Sequence, residues 1–385
     1  MIQLKDIDEE ILLLKKSVEA FAKKEIEPYY QQWEQDGAFP KELWKKLGAA
    51  GFLCVDIPEK YGGLGGPLSY SVTIIDELSR LGYSSIVGNL SVHSIIIPHY
   101  ILNSGTEEQK NYYLPKMATG ELVSAIAMTE PGAGSDLQGI QTSAVKKENT
   151  DEYIINGAKT FVSNGQSFDF VIVVARTNPE VKASRGTSLF IVDAKEQGVI
   201  KGKKLKKIGL YAKETSELFL ENVNVSSSQI LGELDAGFVV LMKELPRERM
   251  ALAVIACGAM EGALEITIKY LGEREAFGKP LNQLQVIRHK VAEMVTEAKV
   301  NRAFVDQCLR LLKSNELSTA DASIAKLSSS EAQGRVADGC LQLFGGYGYM
   351  KEYPISRAYT DARAQRIYGG TSEIMKEIIS KDIFS

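Results

Sequence analysis

The sequence predicts an α+β multidomain protein in which helices come first, a sheet second and helices again third. Three observations carry this. A chain of 385 residues suggests two or three domains, at roughly 150 residues each. Apolar residues recur at three- and four-residue intervals up to about residue 120 and again from Gly237 onward. Between those stretches, β-branched and aromatic residues cluster in short runs. The boundaries so drawn are 1–120 for an N-terminal helical domain, 121–233 for a middle β domain and 234–385 for a C-terminal helical bundle.

The first region has helical spacing over Ile7–Ala22, Lys41–Ala50, Tyr70–Leu81 and Glu107–Met117, broken at Pro28, Gly62–Pro67 and Gly120. The middle region opens with a strand over Leu122–Met128. Tyr153–Ile155, Asn156-Gly157 and Lys159–Ser163 read as strand, type I′ turn and strand, because Asn-Gly supplies the positive φ angles such a turn needs. Phe170–Ala175, Thr187–Val192 and Glu217–Leu220 add further strands to an antiparallel sheet or small barrel. The last region carries long helical patterns over Met250–Leu271, Leu284–Lys313 and Thr319–Leu343, whose short connections imply an antiparallel bundle.

Composition excludes several functions. Lys+Arg number 45 against 49 Asp+Glu, which leaves no basic footprint for nucleic acid. The longest apolar run, Met250–Met260, is too short to cross a bilayer, and Met1–Asp6 shows no secretory signal, so a cytoplasmic location is expected. The four cysteines lie far apart without CxxC spacing and are expected to be reduced. Three histidines without HExxH argue against a His-rich metal site, and no GxSxG elbow supports a Ser hydrolase. Neither Gly62–Gly66 nor Gly345–Gly348 completes GxGxxG in a βαβ unit, so a Rossmann nicotinamide site is unsupported.

Two segments hold chemistry. Thr129–Asp136 follows a strand and exposes small residues whose backbone N–H groups can approach a ring or a phosphate, although a plain loop has the same composition. Glu248 follows Pro246. If that proline opens a helix, Glu248 sits in the first turn and complements the macrodipole. The other reading is a general base in an apolar cavity, with its pKa raised toward neutrality by desolvation.

Several motifs in order resemble the acyl-CoA dehydrogenase family across essentially the whole chain. They are Pro58–Gly63, Ala127–Asp136, Arg274–Gly278, Gln342 with Gly345–Gly348, and Ile367–Ile374. The resemblance implies a C-terminal four-helix bundle, bound FAD, a homotetramer, and electrons passed on to electron-transfer flavoprotein. It also implies an activity: an acyl-CoA thioester gains a trans α,β double bond as a glutamate takes the α proton and the β hydrogen leaves as hydride to the flavin.

By that resemblance Ala127, Thr129, Gly134 and Ser135 face the flavin, with Ser135 also near the substrate's pantetheine. Phe161, Val162 and Ser163 lie along its ring, Phe161 standing where tryptophan is commoner. Arg274, Phe277, Gln285, Gln342, Gly345 and Gly346 match positions that bind the ADP half across a subunit interface, and Thr371 and Glu373 match adenosine-side contacts. Many members carry the catalytic glutamate after the tyrosine of a Tyr-Glu-Gly-Thr motif, where this chain has Gly369. Long-chain and isovaleryl members carry it before an arginine on a bundle helix, the position of Glu248-Arg249. Glu248 is therefore the expected base and long or branched acyl chains the expected substrates. Arg249 is expected to order the loop at Tyr368 and Gly370, which borders the substrate. The alternatives are dehydrogenation of a carrier-protein-bound thioester and an oxygen-using oxidase.

Overall fold

A computed structural model of the chain describes residues 9–384. The expected helix start at Ile7 and the segment Met1–Asp6 lie outside the described residues. Helices α1 (Glu9–Glu25), α2 (Glu27–Asp36), α3 (Glu42–Ala49), α4 (Leu68–Arg80), α5 (Ser84–Ser91), α6 (Ile97–Ser104) and α7 (Glu107–Ala118) build the first part. A five-residue π turn, Val92–Ile96, joins α5 to α6 without a break. Helix α7 opens with a reciprocal cap: Thr106 accepts from the Gln109 N–H, and Gln109 accepts from the Thr106 N–H. Two otherwise orphaned donors are satisfied in this way.

The sheet contains β1 (Ser124–Ala127), β2 (Ser143–Lys146), β3 (Glu152–Ser163), β4 (Phe170–Arg176), β5 (Thr187–Asp193), β6 (Val199–Lys204), β7 (Thr215–Ser226) and β8 (Ile230–Leu231). Its order is β6-β7-β3-β2-β4-β5-β8, with β1 beside β4. Strand β4 is buried on both faces. Phe170, Ile172 and Val174 join the helical core, while Val171, Val173 and Ala175 join a second core inside the sheet domain. Side chains that alternate at period two thus tie the sheet to the helices.

Two expectations for this region are corrected. The sheet is mixed rather than wholly antiparallel, since β4 runs parallel to both β1 and β2. Asn156-Gly157 is not a hairpin turn: β3 runs unbroken through it, because β7 is long enough to pair with both halves. The register shifts between Ile155 and Gly157, and the side chain and Cα of Thr142 occupy the space a Cβ on Gly157 would need. Gly157 therefore marks an irregularity in a long strand.

Helix α8 (Gly237–Glu273) is followed by a small hairpin, β9 (Glu275–Ala276) and β10 (Lys279–Pro280), and then by α9 (Gln285–Lys313), α10 (Thr319–Phe344), α11 (Pro354–Ala362) and α12 (Ser372–Ile383). Because α8 begins at Gly237, Pro246 lies inside it and Glu248 is far from its first turn. The macrodipole reading of Glu248 falls with that.

Two helical stretches, Ser84–Ser104 and Gly237–Glu273, are long and apolar enough to cross a membrane, contrary to the impression left by single apolar runs. In this fold 89% and 72% of their apolar windows are packed inside, so the protein's own core covers those faces. The four cysteines are free and buried, as expected.

Candidate active site

Strand β1 ends at Ala127, and the chain then folds into a tight loop in which Glu130 and Ala133 exchange backbone bonds at 2.9 and 3.1 Å. The Thr160 N–H donates to the Thr129 carbonyl at 2.9 Å, drawing this loop against the end of β3. Two segments far apart in sequence, 127–135 and 161–163, thus become one surface. Beneath it the Lys159 ammonium donates to Glu130 at 2.8 Å and to the Met128 carbonyl at 3.1 Å. Glu130 also accepts from the Gln141 and Thr142 N–H groups at 2.7 and 2.9 Å. These donors hold its carboxyl below the usual carboxylate range although burial opposes them, while burial pushes the Lys159 ammonium down to about 8.

The outer face of this surface is open. Phe161 is 65% exposed at a left-handed φ of 58°, beside a register shift in β3. An unshielded aromatic ring on strained backbone calls for a partner. Gly132 and Gly134 have no atom within 4 Å of where a Cβ would stand. Val162 is buried beneath, and Ser163 accepts a bond from Lys213 at 2.5 Å. An apolar ring face, accessible glycine backbone and flanking hydroxyls at Thr129, Ser135 and Ser163 fit a planar heterocycle joined to a phosphate chain.

Glu248 lies on α8 and is 8% exposed, in a helix whose neighbouring stretch Met250–Cys257 is entirely buried. The Tyr100 hydroxyl of α6 donates to its Oε1 at 2.6 Å. One turn earlier, buried Glu244 accepts from the Asn103 amide at 2.7 Å. Desolvation pushes the Glu248 carboxyl up to about 7; the Tyr100 bond and Arg249 oppose the rise, and Glu244 adds to it. A carboxylate near neutrality is suited to taking a proton from carbon and releasing it again.

The loop before α12 closes this region. Gly369 and Gly370 have φ of 66° and 96°, and the Leu252 side chain fills the space beside Gly369. The Gly370 carbonyl accepts from Lys326, fully buried on α10, at 2.6 Å. Arg249, expected at this loop, instead donates to Ser323 at 3.3 Å, and its buried Nε has no hydrogen-bond partner. Tyr368 is packed against the helical core with its ring 5.9 Å from the Lys213 ammonium. Thr371 caps α12, accepting from the Ile374 N–H at 3.3 Å, with Glu373 in the first turn.

The remaining expected residues form a separate cluster. Arg274 ends α8 and stacks 5.6 Å from the Tyr347 ring, which places it against the turn Gly345–Tyr349 that follows Gln342. Phe277, at φ 56°, is 91% exposed at the hairpin tip, and Gln285 begins α9. Arg274 is 26 residues beyond Glu248, or about 39 Å along the helix at 1.5 Å per residue. Residues missed in the sequence are Lys159, Lys213 and Lys326, whose burial depends on partners distant in the chain, and the bond from Tyr100 to Glu248.

Comparisons with known proteins agree on one family. The N-terminal, middle and C-terminal domain models of acyl-CoA dehydrogenase match residues 8–121, 125–223 and 235–384. The mitochondrial long-chain specific acyl-CoA dehydrogenase of Sus scrofa is 49% identical over 373 residues, covering 96% of this chain and 86% of that protein. Among solved structures, an acyl-CoA dehydrogenase from Geobacillus kaustophilus superposes with a TM-score of 0.95 at 42% identity, covering 98% of this chain and 99% of that one. A glutaryl-CoA dehydrogenase from Mycobacterium smegmatis in complex with FADH2 superposes with a TM-score of 0.91 at 29% identity, covering 98% and 95%. The chain belongs to the acyl-CoA dehydrogenase family and is an FAD-dependent oxidoreductase.

Proposed function

We propose that this protein dehydrogenates long-chain acyl-CoA thioesters to trans-2-enoyl-CoA, with Glu248 as the base and electron-transfer flavoprotein as the acceptor. The observation that carries the reading is the place of Glu248: buried on α8, hydrogen-bonded by Tyr100, one turn from the Leu252 side chain that packs against Gly369, and pushed up to about 7 by desolvation. The long-chain relative supports the substrate class. FAD when bound supplies the acceptor for the β hydrogen and its electron pair.

This chain's residues do the rest. Phe161, Val162 and the 127–135 loop would hold the ring, and Ser135 the thioester's CoA side, while Arg249 packs beside Glu248 and reaches Ser323 rather than the loop. Glu248 takes the α proton. Tyr100 fixes which oxygen faces substrate by occupying Oε1. Lys326 keeps the loop at Tyr368–Gly370 in place through the Gly370 carbonyl. Ile95, Ile96 and Tyr100 are buried on the segment that reaches Glu248, and they bound the acyl tunnel on that side.

The 39 Å separation along α8 bears on assembly. In one chain the Arg274, Phe277, Gln285, Gln342, Gly345 and Gly346 cluster is too far from Glu248 to serve the same reacting centre. It would hold the ADP half of a cofactor bound by a second copy, which the exposed Phe277 also favours. That arrangement calls for at least a second copy of the chain; the homotetramer itself is proposed on the family resemblance, and a cytoplasmic location is the expectation from sequence.

The test is anaerobic titration of the purified yellow protein with acyl-CoAs of rising chain length and with isovaleryl-CoA, followed by its visible spectrum. Bleaching by long-chain thioesters is expected. Bleaching only by carrier-protein thioesters, or by none, overturns the substrate assignment.

A second expected result concerns pH. Replacing Tyr100 by Phe removes a bond to a charged carboxylate, worth about 1.5–3 kcal/mol, or roughly one to two pKa units. Because the bond favours the ionised form, its loss raises the base's pKa. The ascending limb of kcat/KM against pH then moves alkaline from about 7. An unmoved limb would show that Tyr100 does not act on the base.

A further inference from the structure

Lys213 is a buried cation that the functions above do not use. It lies between β6 and β7 in the run Tyr211-Ala212-Lys213-Glu214-Thr215 and is only 7% exposed. Its ammonium donates to Ser163 Oγ at 2.5 Å and stands 5.9 Å from the centre of the Tyr368 ring. Among the described residues no carboxylate comes within ion-pair reach of it.

The stem is held as firmly as the tip. A Cβ on Gly88 of α5 would stand 2.7 Å from Lys213 Cδ and 2.8 Å from Cε, so the glycine leaves the channel through which the side chain passes. Burying a cation without a counter-charge costs stability. A lysine stem usually escapes that cost by carrying its head to water. Here the head is turned inward, to a hydroxyl at the end of β3. Burial, with Lys207 adding to it, pushes the ammonium down to about 8, which leaves it mostly charged at pH 7.

We propose that Lys213 is a positioning residue for the flavin, which acts through Ser163 to raise the reduction potential of the bound cofactor. The inference rests on the reading that Ser163 borders the flavin ring. Reduction adds electron density to that ring. In a low-dielectric site a fixed cation one hydroxyl away stabilises the added charge more than water would. The same ammonium faces Tyr368 in the substrate-bordering loop, so it spans the cofactor wall and the substrate wall. Its cost in stability is then offset by a redox function, with the missing counter-charge left for the reduced cofactor to supply.

The experiment uses the FAD-loaded enzyme and its Lys213→Gln, Lys213→Met, Lys213→Arg and Ser163→Ala variants. Midpoint potentials are read by equilibration with a reference dye, beside the flavin spectrum, FAD content and thermal melting. Lys213→Gln keeps a donor for Ser163 but loses the charge. It is expected to shift the reduction equilibrium at least tenfold, or about 30 mV lower for a two-electron couple. Lys213→Arg is expected to stay at the wild-type value. If Gln is not tolerated, Lys213→Met removes the same charge with an apolar chain of similar length. Any charge-free variant that loads FAD and keeps the wild-type potential overturns the proposal, as does failure of both to load while Lys213→Arg also shifts the potential. Ser163→Ala separates the two levels. If it leaves spectrum and potential unchanged, Ser163 is not at the flavin and the underlying reading fails. If it changes them while Lys213→Gln does not, only the role of Lys213 fails.

Discussion

Glu248→Gln retains FAD and binds acyl-CoA but turns over about 10,000-fold more slowly, the upper range for loss of a positioned general base. The amide keeps the shape of the carboxyl and can still accept from Tyr100, so the hydrogen-bonded geometry at Oε1 survives. What is lost is the ability to take a proton from carbon. The rate of anaerobic flavin bleaching in single turnover isolates that step from later electron transfer. Stability provides the control. A carboxyl whose folded pKa is raised to about 7 favours folding least when it is ionised, so its stabilising share is lost as pH rises through that value. The Gln variant carries no such charge and should melt at the same or a higher temperature than wild type at pH 8. A variant that melts lower and loses its flavin would point to a structural role for Glu248, and near-normal bleaching would place the base elsewhere.

The other large effect is on the fold beneath the flavin surface. Glu130→Ala should cost about 3–5 kcal/mol, because it strands a fully buried ammonium. Lys159 has no exposed side-chain surface and would keep only the Met128 carbonyl at 3.1 Å. The converse change, Lys159→Met, should cost less. Glu130 would still accept from the N–H groups of Gln141 and Thr142. The order of the two variants is therefore a test in itself, read by thermal melting and by the temperature at which FAD fluorescence appears. The pH dependence has a fixed sign. Burial already holds Lys159 down to about 8, and without its carboxylate it sheds its proton more readily still. Since a neutral amine is cheaper to bury, the gap between Glu130→Ala and wild type should narrow from pH 6.5 to pH 9. A gap that widens would mean that the ammonium is not what the glutamate compensates.

Much of this architecture was legible because its signals are local. Long three- and four-residue periods mark α9 and α10, and the β-branched runs mark β4 and β5. Non-local pairing was not legible. Asn156-Gly157 has the local chemistry of a turn, but β7 runs alongside both halves of β3 and overrides it. Pro246 looks like the start of a helix, yet the packing of α8 carries the helix through a residue that by itself would break it. Glu248 could be singled out only through its motif, since its sequence neighbours fit a helix cap equally well. Lys159, Lys213 and Lys326 escaped notice for a common reason. A lysine in a mixed run looks solvated, and its burial is decided by segments many residues away.

Leu252 lies one helical turn beyond Glu248, and its side chain already fills the volume beside Gly369. The family resemblance implies two places for the base, one on the bundle helix and one in the loop after the tyrosine. In this chain the terminal methyl of Leu252 crowds the second of them. A carboxylate grafted at 369 would meet Leu252 before it met substrate, on backbone at φ 66° that disfavours any side chain. A base moved from 248 to 369 would therefore need a displaced or smaller side chain at 252 as well as the two exchanges themselves, so a Gly369→Glu change alone is expected to leave the carboxylate out of place.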